Sequence, residues 1–212
     1  MTELNPDNYN TWLQLLYLQY DSDAYTGMYE DGKKAVELFP AQPVVYLLAG
    51  ISAYEQKEYT SSEEWLFLGK DLVINDPSLQ AEFLHQLGKL SGLQKDYEQA
   101  YDYLDQAKQV DPFNGNVYST RAFILLDEGK KELAIEEMNL ALKEAPDNPF
   151  FLDAMGKLYF KSNEFEKAKT MFLGSLEIKR EPWIINNLGT IHYFEHDYDT
   201  ALKYFFEYLE IN

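Results

Sequence analysis

Between Pro149 and Trp183 the apolar residues fall into two runs separated by a polar break. Phe151, Leu152, Met155, Leu158 and Tyr159 recur at three- and four-residue spacing, which puts them on one face of a helix over 150–161. A strand would alternate every second residue, and these positions do not. Ser162 and Asn163 interrupt the run, after which Phe165, Ala168, Met171, Phe172 and Leu176 mark a second helix over 165–178. The pattern predicts a helix, a short turn and a helix.

The same order of large and small residues returns along nearly the whole chain. Gly88, Ala122, Gly156 and Gly189 lie 34, 34 and 33 residues apart, and Ala100, Ala134, Ala168 and Ala201 keep the same intervals. Two columns with one period define an array. Six units follow, over 9–42, 43–80, 81–114, 115–148, 149–181 and 182–212, each predicted to hold two helices. Such a unit buries its apolar face only against its neighbours, so the expected core is a stripe rather than a ball. The small residues belong where two helices cross closely. A further small column, Ala35, Gly69, Ala107, Ala141 and Ser175, is expected to meet the next unit, and Tyr208 breaks it.

Two units depart from the standard. The second is four residues longer; Asp76 suits an N-cap and Pro77 a first helical turn, so the insertion predicts one extra turn. In the first, Gly27 and Gly32 fall inside the second helix, each costing roughly 1 kcal/mol relative to Ala, which makes that helix the loosest expected. Residues Glu3 to Asn8 repeat the junction Glu144 to Asn148. Residues 1–8 therefore read as the tail of a preceding repeat, and the chain as a piece of a longer array.

The columns resemble the tetratricopeptide repeat, whose pattern is an aromatic, Leu-Gly three and four residues on, then Tyr, Ala, Phe and Pro. The third unit offers Leu84, Leu87, Gly88, Ser91, Ala100, Leu104 and Pro112, the fourth Tyr118, Arg121, Ala122, Leu125, Ala134, Met138 and Pro146. The fifth supplies Leu152, Met155, Gly156, Tyr159, Ala168 and Phe172, and the resemblance runs from Tyr9 to Asn212. It implies an all-α, right-handed superhelical solenoid of stacked helix-turn-helix repeats. It also implies a non-enzymatic interaction scaffold that binds a peptide or a partner's helix in a concave groove lined by first helices. The groove positions are His85, Lys89, Asn116, Ser119, Phe123, Asp153, Lys157, Phe160, Trp183, Asn186, Thr190 and Tyr193. Chaperone-binding relatives clamp a terminal carboxylate with Lys, Asn and Arg on successive first helices. Here Lys89 and Lys157 are separated by Phe123, so that clamp is not expected.

Charge narrows the partner class. Lys and Arg number 18 against 36 Asp and Glu, a net charge of -18. Nucleic acid and insertion into a membrane are not expected, and a protein or peptide is. The acidity fits a solubilising surface or a basic partner. There is no cysteine, and no cofactor, metal or catalytic residue is predicted. His192 and His196 have metal-ligand spacing, but the first fills the repeat's Tyr position and the second a turn. Asp21 to Asp23 reads as a turn, and Glu63, Glu64, Glu136 and Glu137 as solvated.

The last helix, Ala201 to Ile211, lacks the polar face of a capping repeat. Self-association through Tyr204, Phe205, Tyr208 and Leu209 is expected, and a structural spacer or self-associating module is the alternative function. The compartment, cytoplasm or periplasm, stays open.

Overall fold

The computed structural model describes residues 8–112 and 114–211. Among these residues there are twelve α-helices and no strand. In chain order they are α1 (Tyr9–Asp21), α2 (Tyr25–Leu38), α3 (Pro43–Glu55), α4 (Tyr59–Asp71), α5 (Pro77–Leu93) and α6 (Tyr97–Val110). Then follow α7 (Gly115–Asp127), α8 (Lys131–Glu144), α9 (Pro149–Lys161), α10 (Phe165–Ile178), α11 (Pro182–Phe194) and α12 (Tyr198–Ile211). The fold class is the all-α solenoid of helix-turn-helix repeats. The reading of 1–8 as an earlier repeat's tail lies, Asn8 apart, outside the described residues.

First helices start on recurrent chemistry. Asn8, Asp76, Asn114 and Asn148 each accept a backbone N–H of the first turn, and Pro43, Pro77, Pro149 and Pro182 open four of these helices. Each hairpin then closes in one way. Asp23, Lys57, Lys95, Gly129, Asn163 and His196 all have left-handed φ, from 53° to 79°. The residue after each returns its N–H to a carbonyl five positions back, as Asp96 does to Ser91 and Glu164 to Tyr159. Most of these turn residues carry a Cβ, so the closing bonds hold them in a region they would otherwise avoid.

The chain divides after Pro112 into two compact units. In the first, Trp12, Leu16, Met28, Val45 and Leu48 form one cluster, and Tyr46, Leu66, Phe83 and Leu87 another. In the second, Ala168 and Phe172 of α10 meet Ile184, Leu188 and Ile191 of α11. The two small columns have separate geometric reasons. A Cβ on Gly156 would lie 2.6 Å from the Phe172 ring of its own hairpin, and one on Gly69 would lie 2.5 Å from Tyr46 Cβ and 2.6 Å from Phe83. Phe83 belongs to the following hairpin, so Gly69 lets neighbouring repeats approach.

The insertion lengthens α5 to 17 residues, with Asp76 accepting from Leu79 N at 3.0 Å. In α2, Gly32 packs where a Cβ would come within 3.1 Å of Ala49 Cβ, so this glycine serves a helix crossing as well as weakening its helix. Two sequence readings are corrected. Glu137 is not solvated: its carboxylate lies 3.3 Å from Arg121 Nε and its side chain is largely buried. On α12, Tyr204 stacks on His192 at 5.6 Å and Phe205 covers Gly189, so neither projects freely. The exposed large apolar side chains of α12 are Tyr198, Leu202, Phe206, Leu209 and Ile211, because docking α12 on α11 turns its other face inward.

Candidate functional site

In the first unit, His85 and Lys89 both lie on α5. His85 is buried, with Nδ1 3.3 Å from Glu82 Oε1. Lys89 reaches back to α3, 3.3 Å from Glu55 Oε1 and 4.0 Å from the centre of the Tyr54 ring. These contacts tie α5 to α3.

In the second unit, the other predicted residues sit on three first helices. Asn116, Ser119 and Phe123 are on α7, Asp153, Lys157 and Phe160 on α9, and Trp183, Asn186, Thr190 and Tyr193 on α11. Two hydroxyls are already committed: Ser119 Oγ donates to Gly115 O and Thr190 Oγ1 to Asn186 O, both at 2.9 Å. Aromatic rings bridge the helices. Lys161 Nζ stands 4.9 Å over the Phe123 ring, and Phe160 meets Phe194 at 5.8 Å, with Tyr193 beside it at 6.0 Å.

A shallow depression in this face lies between the N-terminal halves of α9 and α11. Phe150, Asp153, Lys179, Glu181 and Trp183 line it, over Ser175 and Ile184. Asp153 is only 8% exposed. Its Oδ2 accepts from Lys157 Nζ at 2.6 Å, and the Trp183 side chain bears on the same buried carboxylate. Burial pushes its carboxyl above the ordinary range, and hydrogen bonds from Lys157 and Trp183 pull the other way without cancelling the rise. Phe150 and Trp183 are 55% and 41% exposed. Lys179, ion-paired with Glu181, places its ammonium 5.7 Å from the Phe150 ring centre. Phe150, Phe194, Lys161 and Lys179 were missed in the sequence. The first had a signal, since Asn116, Phe150 and Trp183 are one column at intervals of 34 and 33.

No group of three His, Cys, Asp or Glu among the described residues could hold a metal ion, and His192 pairs instead with Asp197 at 3.3 Å. No helix among them is long and apolar enough to cross a membrane.

The tetratricopeptide repeat model matches three successive segments, 81–114, 115–148 and 152–182. These segments are tetratricopeptide repeats. Among its relatives, the anaphase-promoting complex subunit CDC16 of Saccharomyces cerevisiae is 25% identical over 189 residues, covering 85% of this chain and 21% of that protein. A tetratricopeptide repeat-containing protein of Methanocaldococcus jannaschii, MJ1428, is 33% identical over 84 residues, 39% of this chain and 14% of that protein. This repeat chain thus spans about a fifth of the first relative and less of the second. The crystal structure of the APC/C hetero-tetramer Cut9-Hcn1 contains a chain that superposes with a TM-score of 0.67 at 17% identity, over 100% of this chain and 41% of that one. That likeness concerns the fold. As a tetratricopeptide repeat protein, the chain is of a kind that generally serves as a protein-protein interaction scaffold.

Proposed function

We propose that this repeat protein is a non-enzymatic scaffold that binds an extended peptide or a partner's helix across the first-helix face of its second unit. The observation that carries this reading is the open aromatic line on α9 and α11: Phe150, Trp183, Tyr193 and Phe194 are each more than 40% exposed. Folding alone gives no reason to leave four large aromatics uncovered on adjacent helices, whereas aromatic anchors dominate protein interfaces. The amides of Asn116 and Asn186 on the first helices suit backbone recognition in an extended segment. Groove substitution tests it. Replacing Trp183, Asn186 and Lys157 together should weaken capture of a partner peptide while the unfolding transition stays in place. Unchanged capture by the folded triple variant would refute the reading.

A structural, self-associating role is favoured by a different observation. Leu202, Phe206 and Leu209 expose one apolar side of α12. Under that reading, light scattering would show concentration-dependent association lost on Leu209→Glu, and the groove variants would be silent.

A further inference from the structure

The outer side of α12 carries an apolar strip that the groove leaves unused. Tyr198, Leu202, Phe206 and Leu209 follow one another at spacings of four, four and three, which keeps them on one side of the helix, and the last three are 51%, 62% and 68% exposed. The repeat pattern shows what kind of surface this is. Leu209 stands where Leu176 stands one repeat earlier, and Leu176 packs against the cluster that joins Phe172 of α10 to Ile184 of α11. The strip therefore continues an interface that the preceding hairpin has already made.

A further hairpin cannot cover it in the same way. The small column is what lets each following first helix approach: a Cβ on Gly69 would lie 2.6 Å from Phe83, and Ala35, Ala107, Ala141 and Ser175 are all buried at this position. On α12 the column holds Tyr208, whose bulk keeps such a helix off. The strip is instead complementary to itself. When two α12 helices lie antiparallel about a dyad at Phe206, the two Phe206 rings meet and each Leu202 meets Leu209 of the second copy. Charge favours that direction. Lys203 and Glu210 are one heptad apart on the same flank of the strip, so antiparallel pairing sets each Lys203 beside a Glu210, whereas parallel pairing leaves them on opposite sides of the interface. Among the described residues neither has an ion-pair partner, while Glu207 is held by Arg180. We propose that two copies of this chain pair through α12, antiparallel about Phe206. The inference rests on the self-associating reading above, adds the occupant and its orientation, and is independent of the groove.

The chain contains no cysteine, so single introduced thiols report the pairing in the full chain. Sedimentation equilibrium should show monomer and dimer in exchange, with nothing larger. Under mild oxidation Phe206→Cys should form a disulfide-linked dimer, because its two copies lie at the dyad, whereas Leu202→Cys and Leu209→Cys should link mainly when mixed with each other. Lys203→Glu should weaken the dimer about threefold or more, and adding Glu210→Lys should restore it. All these sites are exposed, and circular dichroism melting confirms that each variant is folded. Equal self-linking by Leu202→Cys and Leu209→Cys, association that runs past two, or a dimer in which Phe206→Cys stays unlinked would overturn the antiparallel pair and leave self-association standing. A monomer at every concentration would overturn both.

Discussion

In the first unit α3 is buried continuously from Val45 through Ala53, whereas in the second α9 and α11 leave Phe150, Trp183, Tyr193 and Phe194 in the open. Charge differs in parallel. Up to Pro112 there are 7 Lys and Arg against 19 Asp and Glu; beyond it, 11 against 17. The same hairpin, with the same left-handed closing residue, therefore serves two surfaces. In the first unit the groove-side groups of α5 are drawn into the unit, His85 by burial beside Glu82 and Lys89 by its reach to Glu55 and Tyr54. In the second, Lys157 and Lys161 are held by Asp153 and Asp127 on the same face as the free rings. What separates the units is the content of first-helix surface positions and not the packing of their cores.

That claim is broken most severely by core substitutions with unequal effects. Phe83 and Phe172 are both almost wholly buried, so Phe83→Ala and Phe172→Ala should each cost about 3–5 kcal/mol in denaturant unfolding. A cost in one unit of less than a third of the other's would show that the cores differ after all. Binding should be less symmetric. Trp183→Ala is expected to remove about 2 kcal/mol of peptide affinity, roughly thirtyfold, while Tyr17→Ala on α1 leaves it unchanged, both read by anisotropy.

The acid chemistry sharpens the comparison further. Between the ordinary carboxylate value and its raised value in the folded state, Asp153 binds more protons folded than unfolded. Its contribution to stability is thus greatest in acid and is lost as pH rises through the elevated value. The melting temperature of Asp153→Asn relative to the parent should climb from about pH 4 upward. Lys157 on α9 and Trp183 on α11 are the groups bearing on this titration. A difference that falls with rising pH would mean that the pair with Lys157 outweighs burial. The smallest effect belongs to the first unit. Lys89→Gln breaks a partly exposed pair with Glu55 and should cost less than about 1 kcal/mol, diminishing with added salt.

The fold was legible because it is written redundantly. Gly88, Gly156 and Gly189 report crossings inside hairpins, Gly69 reports a contact between them, and each column dates the others. Six-fold repetition turns weak local signals into one period. The site was legible only as a set of positions. Trp183 was found and Phe150, in the same column, was not, because an apolar residue followed by Phe151 and Leu152 looks like core until the helix's rotation is known. Rotation likewise decided α12, where Phe206 faces outward and Phe205 inward. The burial of Asp153 of α9 beside Trp183 of α11 depends on distances between helices, which no spacing along the chain encodes.

The most direct test of peptide binding on the second unit is an amide and indole chemical-shift map of the full chain, titrated with a decapeptide selected for binding from a random library. Saturable shifts concentrated on α9 and α11, with the Trp183 indole moving and those of Trp12 and Trp65 still, are the predicted result. Shifts centred on α3 and α5, or on α12 alone, would contradict it.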